Sequence, residues 1–366
     1  MRQDVYIIDG ARTPFLKARN RPGPFAASDL ATAAGRAVLT RQPFAPTELD
    51  EVILGCAAPS VDEVNIGRVV ALRMGCGQQV PGWTVMRNCA SGMQALDSAI
   101  ANFEAGRSEL VLAGGVDALS RAPLLYSDAM VLWFADFYAA RTFGQKAAAL
   151  ARFRPAYLAP VYDGAGNVYT ADDGVRKDST AENLAKLRPF FDRKYGNVTA
   201  GNSSQVTDGG AWALLATEAA VKRHGLKPVG RIVDSQWAGL DPSQMGLGPV
   251  HAATPILRRQ ALSLNDLDAW EINEAFAAQV LACLEAWKSD EYCRNDLGLD
   301  RAMGELDLEK LNVDGGAIAL GHPVGASGAR IVLHLLHVLK RSKGKRGMAT
   351  ICIGGGQGGA MLVEAL

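Results

Sequence analysis

Trp83-Thr84-Val85-Met86-Arg87-Asn88-Cys89-Ala90-Ser91-Gly92-Met93-Gln94-Ala95-Leu96 is the stretch that decides the fold. A short apolar strand, Thr84 to Met86, turns abruptly into a helix running from Ala90 to about Ala105. The turn sets Cys89 at a helix N-terminus, where backbone N–H groups and the macrodipole favour thiolate over thiol. A thiolate so placed is a nucleophile, and the strand–turn–helix layout is that of an exposed nucleophile turn in acyl transfer. A cysteine taken alone is more often a small buried hydrophobe. Motifs near the C-terminus therefore have to carry the case.

The same grammar extends outward in both directions. Val5 to Ile8 reads as a strand, Asp29 to Leu39 as a helix, Glu51 to Gly55 as a second strand, and Leu110 to Ala113 as a strand closed by Gly114-Gly115. Strands separated by helix-length segments predict parallel-rich α/β layers. In the last third, Gly321-His322-Pro323-Val324-Gly325-Ala326-Ser327-Gly328 leads into a helix from Ala329 to Lys340, then the strand Met348 to Ile353 and the glycines Gly354-Gly355-Gly356. Each half thus has a Ser-Gly helix start followed, one helix later, by an apolar strand ending in glycines. That repetition predicts an internal duplication, two similar domains facing each other. Between them, Ser120 to Thr207 has poor periodicity and many turn residues, which predicts an insertion packed on the first domain. The expected organisation is an N-terminal domain of residues 1–119 and 208–229, an inserted loop domain of 120–207, and a C-terminal domain of 230–366.

Composition narrows the class. The chain has 366 residues, 48% hydrophobic and 21% charged, with formal net charge zero. That is an α/β composition without the broad basic footprint of a nucleic-acid binder. Six cysteines form no CxxC pair, which points to a reducing compartment. The chain starts directly as a strand, without a signal-peptide layout, and no apolar run is long enough for a bilayer. The expectation is a soluble, cytoplasmic protein.

Besides Cys89, three residues stand out chemically. His322, between Gly and Pro, has a constrained backbone and little local crowding, which suits a base reaching into a cleft beside a thiol. Of the other four histidines, His334 and His337 lie on the following helix amid leucines and read as packing or surface. Without acidic or cysteine partners they predict no metal site. His224 and His251 have no supporting context. Cys352 ends a strand that runs into Gly354-Gly355-Gly356-Gln357-Gly358-Gly359. It reads either as core before a tight turn or as a second thiol where small residues admit a substrate. Those glycines lack the spacing of a dinucleotide fingerprint. Asn273, in Trp270-Glu271-Ile272-Asn273-Glu274-Ala275-Phe276-Ala277, reads as the N-cap of a helix with Phe276, Val280, Leu284 and Trp287 on one face. Its amide is also able to hold a water or an oxyanion.

Together Asn88-Cys89-Ala90-Ser91-Gly92, Asn273-Glu274-Ala275-Phe276-Ala277, Gly321 to Gly328 and Cys352-Ile353-Gly354-Gly355-Gly356 resemble, in order and spacing, the signature blocks of the thiolases. Gly10-Ala11-Arg12-Thr13-Pro14-Phe15 resembles the family's N-terminal run. The resemblance covers nearly the whole chain. It implies five αβαβα layers, two similar domains with mixed five-stranded sheets, and an inserted loop domain. It also implies that Cys89 accepts the acyl group, His322 takes its proton, Cys352 shuttles a proton at the substrate α-carbon, and Asn273 positions a water at an oxyanion. The N–H groups of Cys89 and Gly354 would form a second oxyanion hole. Ser204, Met245, Ala275 and Phe276 match residues of the pantetheine tunnel, and Arg176 matches an arginine near the CoA nucleotide. No cofactor is bound permanently; coenzyme A is a co-substrate.

The chain departs from the family where Ala159-Pro160 runs directly into Val161-Tyr162-Asp163, without the usual helical stretch at the acyl-binding side. The loop domain is thus shortened near 160/161. Met130 to Tyr157, rich in aromatic and basic residues, resembles the corresponding segment in thiolase subunits of the fatty-acid trifunctional complex. It suits a buried helix, a subunit interface, a hydratase/dehydrogenase partner or a membrane surface. The expected assembly is a homodimer or tetramer. The expected activity is acyl-CoA thiolysis of 3-ketoacyl-CoA in fatty-acid β-oxidation. The alternatives are acetyl-CoA acetyltransferase, condensing two acetyl-CoA, and a non-catalytic CoA- or lipid-binding protein of the same fold. Cys352 argues against a decarboxylating ketoacyl synthase.

Overall fold

The computed structural model describes residues 4–19, 21–60, 62–122, 161–163, 167–176 and 178–366. The aromatic stretch 130–157 lies outside the described residues. The twelve strands among the described residues are β1 (Val5–Arg12), β2 (Leu16–Lys17), β3 (Glu51–Gly55), β4 (Gly82–Val85), β5 (Leu110–Ala118), β6 (Val161–Tyr162), β7 (Val168–Tyr169), β8 (Thr207–Thr217), β9 (Gly230–Gly239), β10 (Ala269–Ile272), β11 (Arg346–Ile353) and β12 (Gln357–Ala365). The helices among the described residues are α1 (Ala27–Leu39), α2 (Ile66–Arg73), α3 (Ser91–Glu104), α4 (Ala181–Ala185), α5 (Glu218–His224), α6 (Gly248–Arg259), α7 (Ala277–Lys288), α8 (Asp290–Asn295), α9 (Ala317–Leu320) and α10 (Val324–Ser342).

Every residue of β5 and β8 is buried, as in strands covered on both faces by helices. The strands run β10-β11-β12-β9-β1-β8-β5-β3-β4, with β2 added to β8. Only β3/β4, β3/β5 and β10/β11 are parallel; the other pairings in this sheet are antiparallel. The sheet is therefore mixed rather than parallel-rich. One cause is local: β11 returns into β12 through Gly354-Gly355-Gly356, with φ of 92° at Gly355 and 78° at Gly356. That tight turn can only join antiparallel neighbours.

The duplication is visible in the topology. In the first half, β4-α3-β5 is followed by β8 beside β1. In the second, Leu311-α10-β11 is followed by β12 beside β9. The halves join where β1 pairs antiparallel with β9 over Val5–Ile232, Tyr6–Arg231 and Ile7–Gly230. The second half shows four strands rather than the expected five. A single parallel bridge, Trp270 to Leu311, stands where β4 stands in the first.

Three apolar cores define the layers. One lies between α1, α2 and the first half-sheet, with Leu30, Val38, Val70 and Trp212. One surrounds α3 and α10 between the half-sheets, with Leu96, Phe103, Ile331 and Leu335. The third lies under α6 and α7, with Ile256, Trp270 and Trp287. The result is the expected αβαβα stack.

The central layer explains several glycines. Gly114-Gly115 do not close β5, which continues to Ala118. A Cβ on Gly115 would strike Gly325 O and come within 2.7 Å of Gly92 Cα, and one on Gly92 would sit 2.7 Å from Gly325 O. Glycine there lets α3, α10 and β5 touch through their backbones. Helix α10 starts at Val324, five residues before the predicted Ala329, with Pro323 as N-cap, and Gly325 in its first turn makes this contact.

Candidate active site

Asn88 adopts φ 43°, a left-handed conformation that asparagine tolerates better than most residues. Its Nδ2 donates to Gly354 O at 2.9 Å. Ser91 secures the same turn, its Oγ donating to Asn88 O at 2.7 Å and accepting from Arg87 N at 2.9 Å. The turn is thereby tied to the β11–β12 glycines of the other half. Cys89 lies two residues before the first helical residue, Ser91, with Ala90 as N-cap.

The N–H groups of Gly354 and of Cys89 itself both reach the Cys89 sulfur. Burial nevertheless dominates and holds its pKa above the ordinary value, with the Asp117 carboxylate adding to the rise. The resting group is a thiol. The thiolate expected from the helix terminus is not reached, because desolvation outweighs two amide dipoles.

Cys352 is 1% exposed. Burial pushes its thiol strongly up, and the Cys89 and Cys283 sulfurs push it further, so Cys352 lies within electrostatic reach of both. Cys283, on α7, donates to Gly246 O at 3.3 Å, next to Met245.

His322 is buried at 6% exposure. Its N donates to Gln205 O at 2.9 Å, and Gly321 before it takes φ 103°. Nδ1 lies 2.6 Å from Ser327 Oγ, and Ser327 Oγ donates to Pro323 O at 3.2 Å. With its one hydrogen so used, Ser327 accepts from Nδ1–H; this hydrogen-bond inference assigns the tautomer and leaves Nε2 with a lone pair. Nε2 is buried without a partner. Burial, followed by the Arg330 charge, lowers the imidazole pKa to about 4.

Asn273 is not a helix cap. Helix α7 starts at Ala277 with Phe276 as N-cap, and Asn273 follows β10, its N donating to Thr350 O at 2.9 Å. It is 1% exposed, and neither side-chain amide atom has a protein partner. Such a group is costly unless it meets water or ligand. The backbone is held by Asn312, whose Oδ1 accepts from Ile272 N and whose Nδ2 donates to Ile272 O, each at 2.9 Å.

Residues 202–205 stitch these loops together. Ala277 N donates to Asn202 O at 2.8 Å, Ser204 N to Ala275 O at 2.9 Å, and His322 N to Gln205 O. Ser203 bridges Phe276. Ser204, Ala275 and Phe276 thus flank Asn273 on one side and His322 on the other. Met245 sits beside the Cys283 end. Arg176 stands apart, on the turn after Gly174 and near Lys17; Gln205 Nε2 donates to Gly174 O at 3.0 Å. Among the described residues no group of three or more His, Cys, Asp or Glu could hold a metal. Sequence reasoning missed Gln205, Asn312 and Asp117, which act by hydrogen bonds across long sequence separations. Ser327 was within reach, five residues after His322 in the quoted motif.

A thiol, a neutral imidazole with an open nitrogen, a second thiol and amides directed at sulfur are the groups that cysteine-based acyl transfer uses. Profiles of the thiolase N-terminal domain match residues 5–146 and 135–219, and that of the thiolase C-terminal domain matches 226–365. The chain belongs to the thiolase family of acyltransferases. It is 38% identical to a β-ketoadipyl-CoA thiolase of Pseudomonas knackmussii over 419 aligned positions, covering all of both chains. It is 31% identical to the mitochondrial trifunctional enzyme subunit beta of Homo sapiens, with 99% of this chain and 89% of that one covered. Human mitochondrial 3-ketoacyl-CoA thiolase in complex with CoA has the same fold, with TM-score 0.82, 33% identity, and 100% and 98% coverage. The first alignment is longer than this chain's 366 residues, so that relative carries residues with no counterpart here.

Proposed function

We propose that this chain cleaves 3-ketoacyl-CoA by thiolysis, releasing acetyl-CoA and an acyl-CoA shortened by two carbons, with residues 120–207 as a loop domain shortened at 160/161. One observation carries the reading: the Gly354 and Cys89 amides converge on the Cys89 sulfur, with the buried Cys352 thiol within its electrostatic reach. Since Cys89 rests as a thiol and His322 as a weak neutral base, no ion pair precedes substrate. The proton leaves Sγ for His322 Nε2 as the sulfur attacks the 3-keto carbon. The oxyanion formed there is met by the amides, which supplies the driving force.

The C2–C3 bond then breaks. Its electron pair becomes the acetyl-CoA enolate, which the Asn273 amide stabilises through a water and Cys352 protonates at C2. Incoming CoA–SH returns a proton to Cys352, and its thiolate attacks the acyl–Cys89 thioester. Shortened acyl-CoA leaves, and the Cys89 sulfur recovers its proton from His322. Two half-reactions through one acyl-enzyme predict ping-pong kinetics. Ser204, Met245, Ala275 and Phe276 would line the pantetheine arm, and Arg176 would face the nucleotide.

The same groups run backwards as an acetyl-CoA acetyltransferase. Steady-state rates on short and long 3-ketoacyl-CoAs separate the two directions of use. The primary test is intact mass after incubation with acetyl-CoA: one acetyl group should appear on the wild type and none on Cys89→Ala. A folded wild type that gains no mass would leave only the CoA-binding reading.

A further inference from the structure

Asp117, at the end of β5, is fully buried, and the reaction above makes no direct use of it. Its Oδ1 accepts from Ala58 N at 2.9 Å, Ala57 N at 3.2 Å and Cys56 Sγ at 3.3 Å; its Oδ2 accepts from Ala57 N at 3.3 Å and from Gly325 N. Backbone amides and a thiol thus do the work of water for a carboxylate whose burial is expensive. The contacts join three pieces: the end of β5, the turn after β3, and the first turn of α10. The first two belong to the half that carries Cys89. The third begins two residues after His322.

We propose that Asp117 is the positioning residue that holds His322 in register with Cys89, by clamping the first turn of α10 to the strand ends of the opposite half. Three features support it. The Gly325 N–H is one of the amides that a helix cannot satisfy internally, and it points at a negative charge placed at the positive end of the helix. The contact is close, since Gly325 O abuts Gly92 and Gly115, so the clamp bears on a rigid crossing. The carboxylate also acts electrically on the Cys89 thiol, so the clamp lies within charge range of the reacting sulfur. The proposal rests on the thiolase reading for its kinetic test, while its structural test stands alone.

Titratable groups facing the carboxylate are the Cys56 thiol from the turn after β3 and the Cys89 thiol from the turn before α3; the N-terminal amides of α10 face it from the other half. Burial raises the Asp117 pKa to about 6 against the opposing amides of Ala58, Gly325 and Ala57 and the Cys56 thiol. That lies above the value of about 4 for His322. Acid should therefore release the clamp before it protonates the base.

The test is Asp117→Asn in the full chain, with Cys56→Ala beside it. In Asp117→Asn an amide nitrogen faces N–H donors. We expect kcat to fall on the order of tenfold to a hundredfold, with KM for acyl-CoA changed by less than about twofold. The acid limb of kcat should move from near the Asp117 value towards that of His322. Cys56→Ala removes a single donor to the carboxylate, keeps normal kcat on the alkaline side, and should move the acid limb upward. Hydrogen exchange over residues 322–328, which needs no substrate, should quicken in Asp117→Asn. A residue that merely supports the fold would lower Tm and leave the acid limb in place. Unchanged exchange at 322–328, or an acid limb that neither variant moves, overturns the proposal. Should Asp117→Asn not fold, the Cys56→Ala limb decides. A wild type without thiolase turnover counts against the thiolase reading alone, and exchange then decides the clamp.

Discussion

Substituting Gly115 by alanine tests the contact on which the site is built. The added Cβ would lie 2.7 Å from Gly92 Cα and 2.9 Å from Gly325 C, and closer still to Gly325 O. All three are backbone atoms, so no side chain can swing aside. Restoring ordinary contact requires α10 to retreat from β5 by about an ångström. Overpacking of this kind costs ~1–3 kcal/mol, which at this chain length lowers Tm by a few degrees. The functional cost is larger. Helix α10 starts two residues after His322, and a displacement of about 1 Å between base and nucleophile can cost on the order of a hundredfold in rate. Thermal unfolding and steady-state thiolysis measure the two effects on one preparation. Gly239→Ala is the control, because nothing lies within 4 Å of its added Cβ and it should stay within about 0.5 kcal/mol of wild type. If Gly115→Ala matches Gly239→Ala in both Tm and kcat, the three-way backbone contact does not set the site.

Three further outcomes follow from the geometry. Asn273→Ala removes a buried amide with no protein partner, so turnover should fall by about 10²–10³ while Tm holds or rises; a lower Tm would return Asn273 to a structural role. Arg330→Met strands Glu271, which Arg330 NH1 contacts at 3.2 Å with both side chains buried. Burial already lifts the Glu271 carboxyl to about 8, so it meets the loss of Arg330 as a neutral acid lacking a partner; urea unfolding should show a loss of about 1–3 kcal/mol, with much of it recovered by adding Glu271→Leu, and equal losses for single and double variants would contradict this. His322 titrates near 4 in the folded chain against 6.5 for an ordinary imidazole. Its contribution to stability is thus complete above 6.5 and lost as pH falls through 4, by at most about 3 kcal/mol. His322→Gln should flatten that part of the Tm–pH curve, and an identical curve for both proteins would exclude His322 as its source.

The α/β class and the paired halves were legible because strands such as Glu51–Gly55 and helix starts such as Ser91-Gly92 carry local signals. The mixed pairing of the sheet was not, since β8 and β12 choose antiparallel partners by where the chain returns. Gly114-Gly115 misled for a related reason: they read as a strand end, yet their purpose is contact with Gly325, 210 residues away in the case of Gly115. At the site, residue types were readable and protonation was not. The thiolate expected at Cys89 came from the helix terminus, a local feature; the thiol found there reflects burial contributed by both halves. Asn273 showed the reverse error, a cap suggested by local order and removed by the three residues that separate it from Ala277.

Cys89 and His322 occupy matching places. Each stands two residues ahead of its central helix, with Ala90 or Pro323 between, and those helices precede β5 and β11, equivalent strands of the two repeats. A single structural slot, present twice, is filled by sulfur in one copy and by imidazole in the other. Chemistry that needs unlike neighbours thus arises from a scaffold with like positions, and neither repeat by itself holds the Cys89–His322 pair.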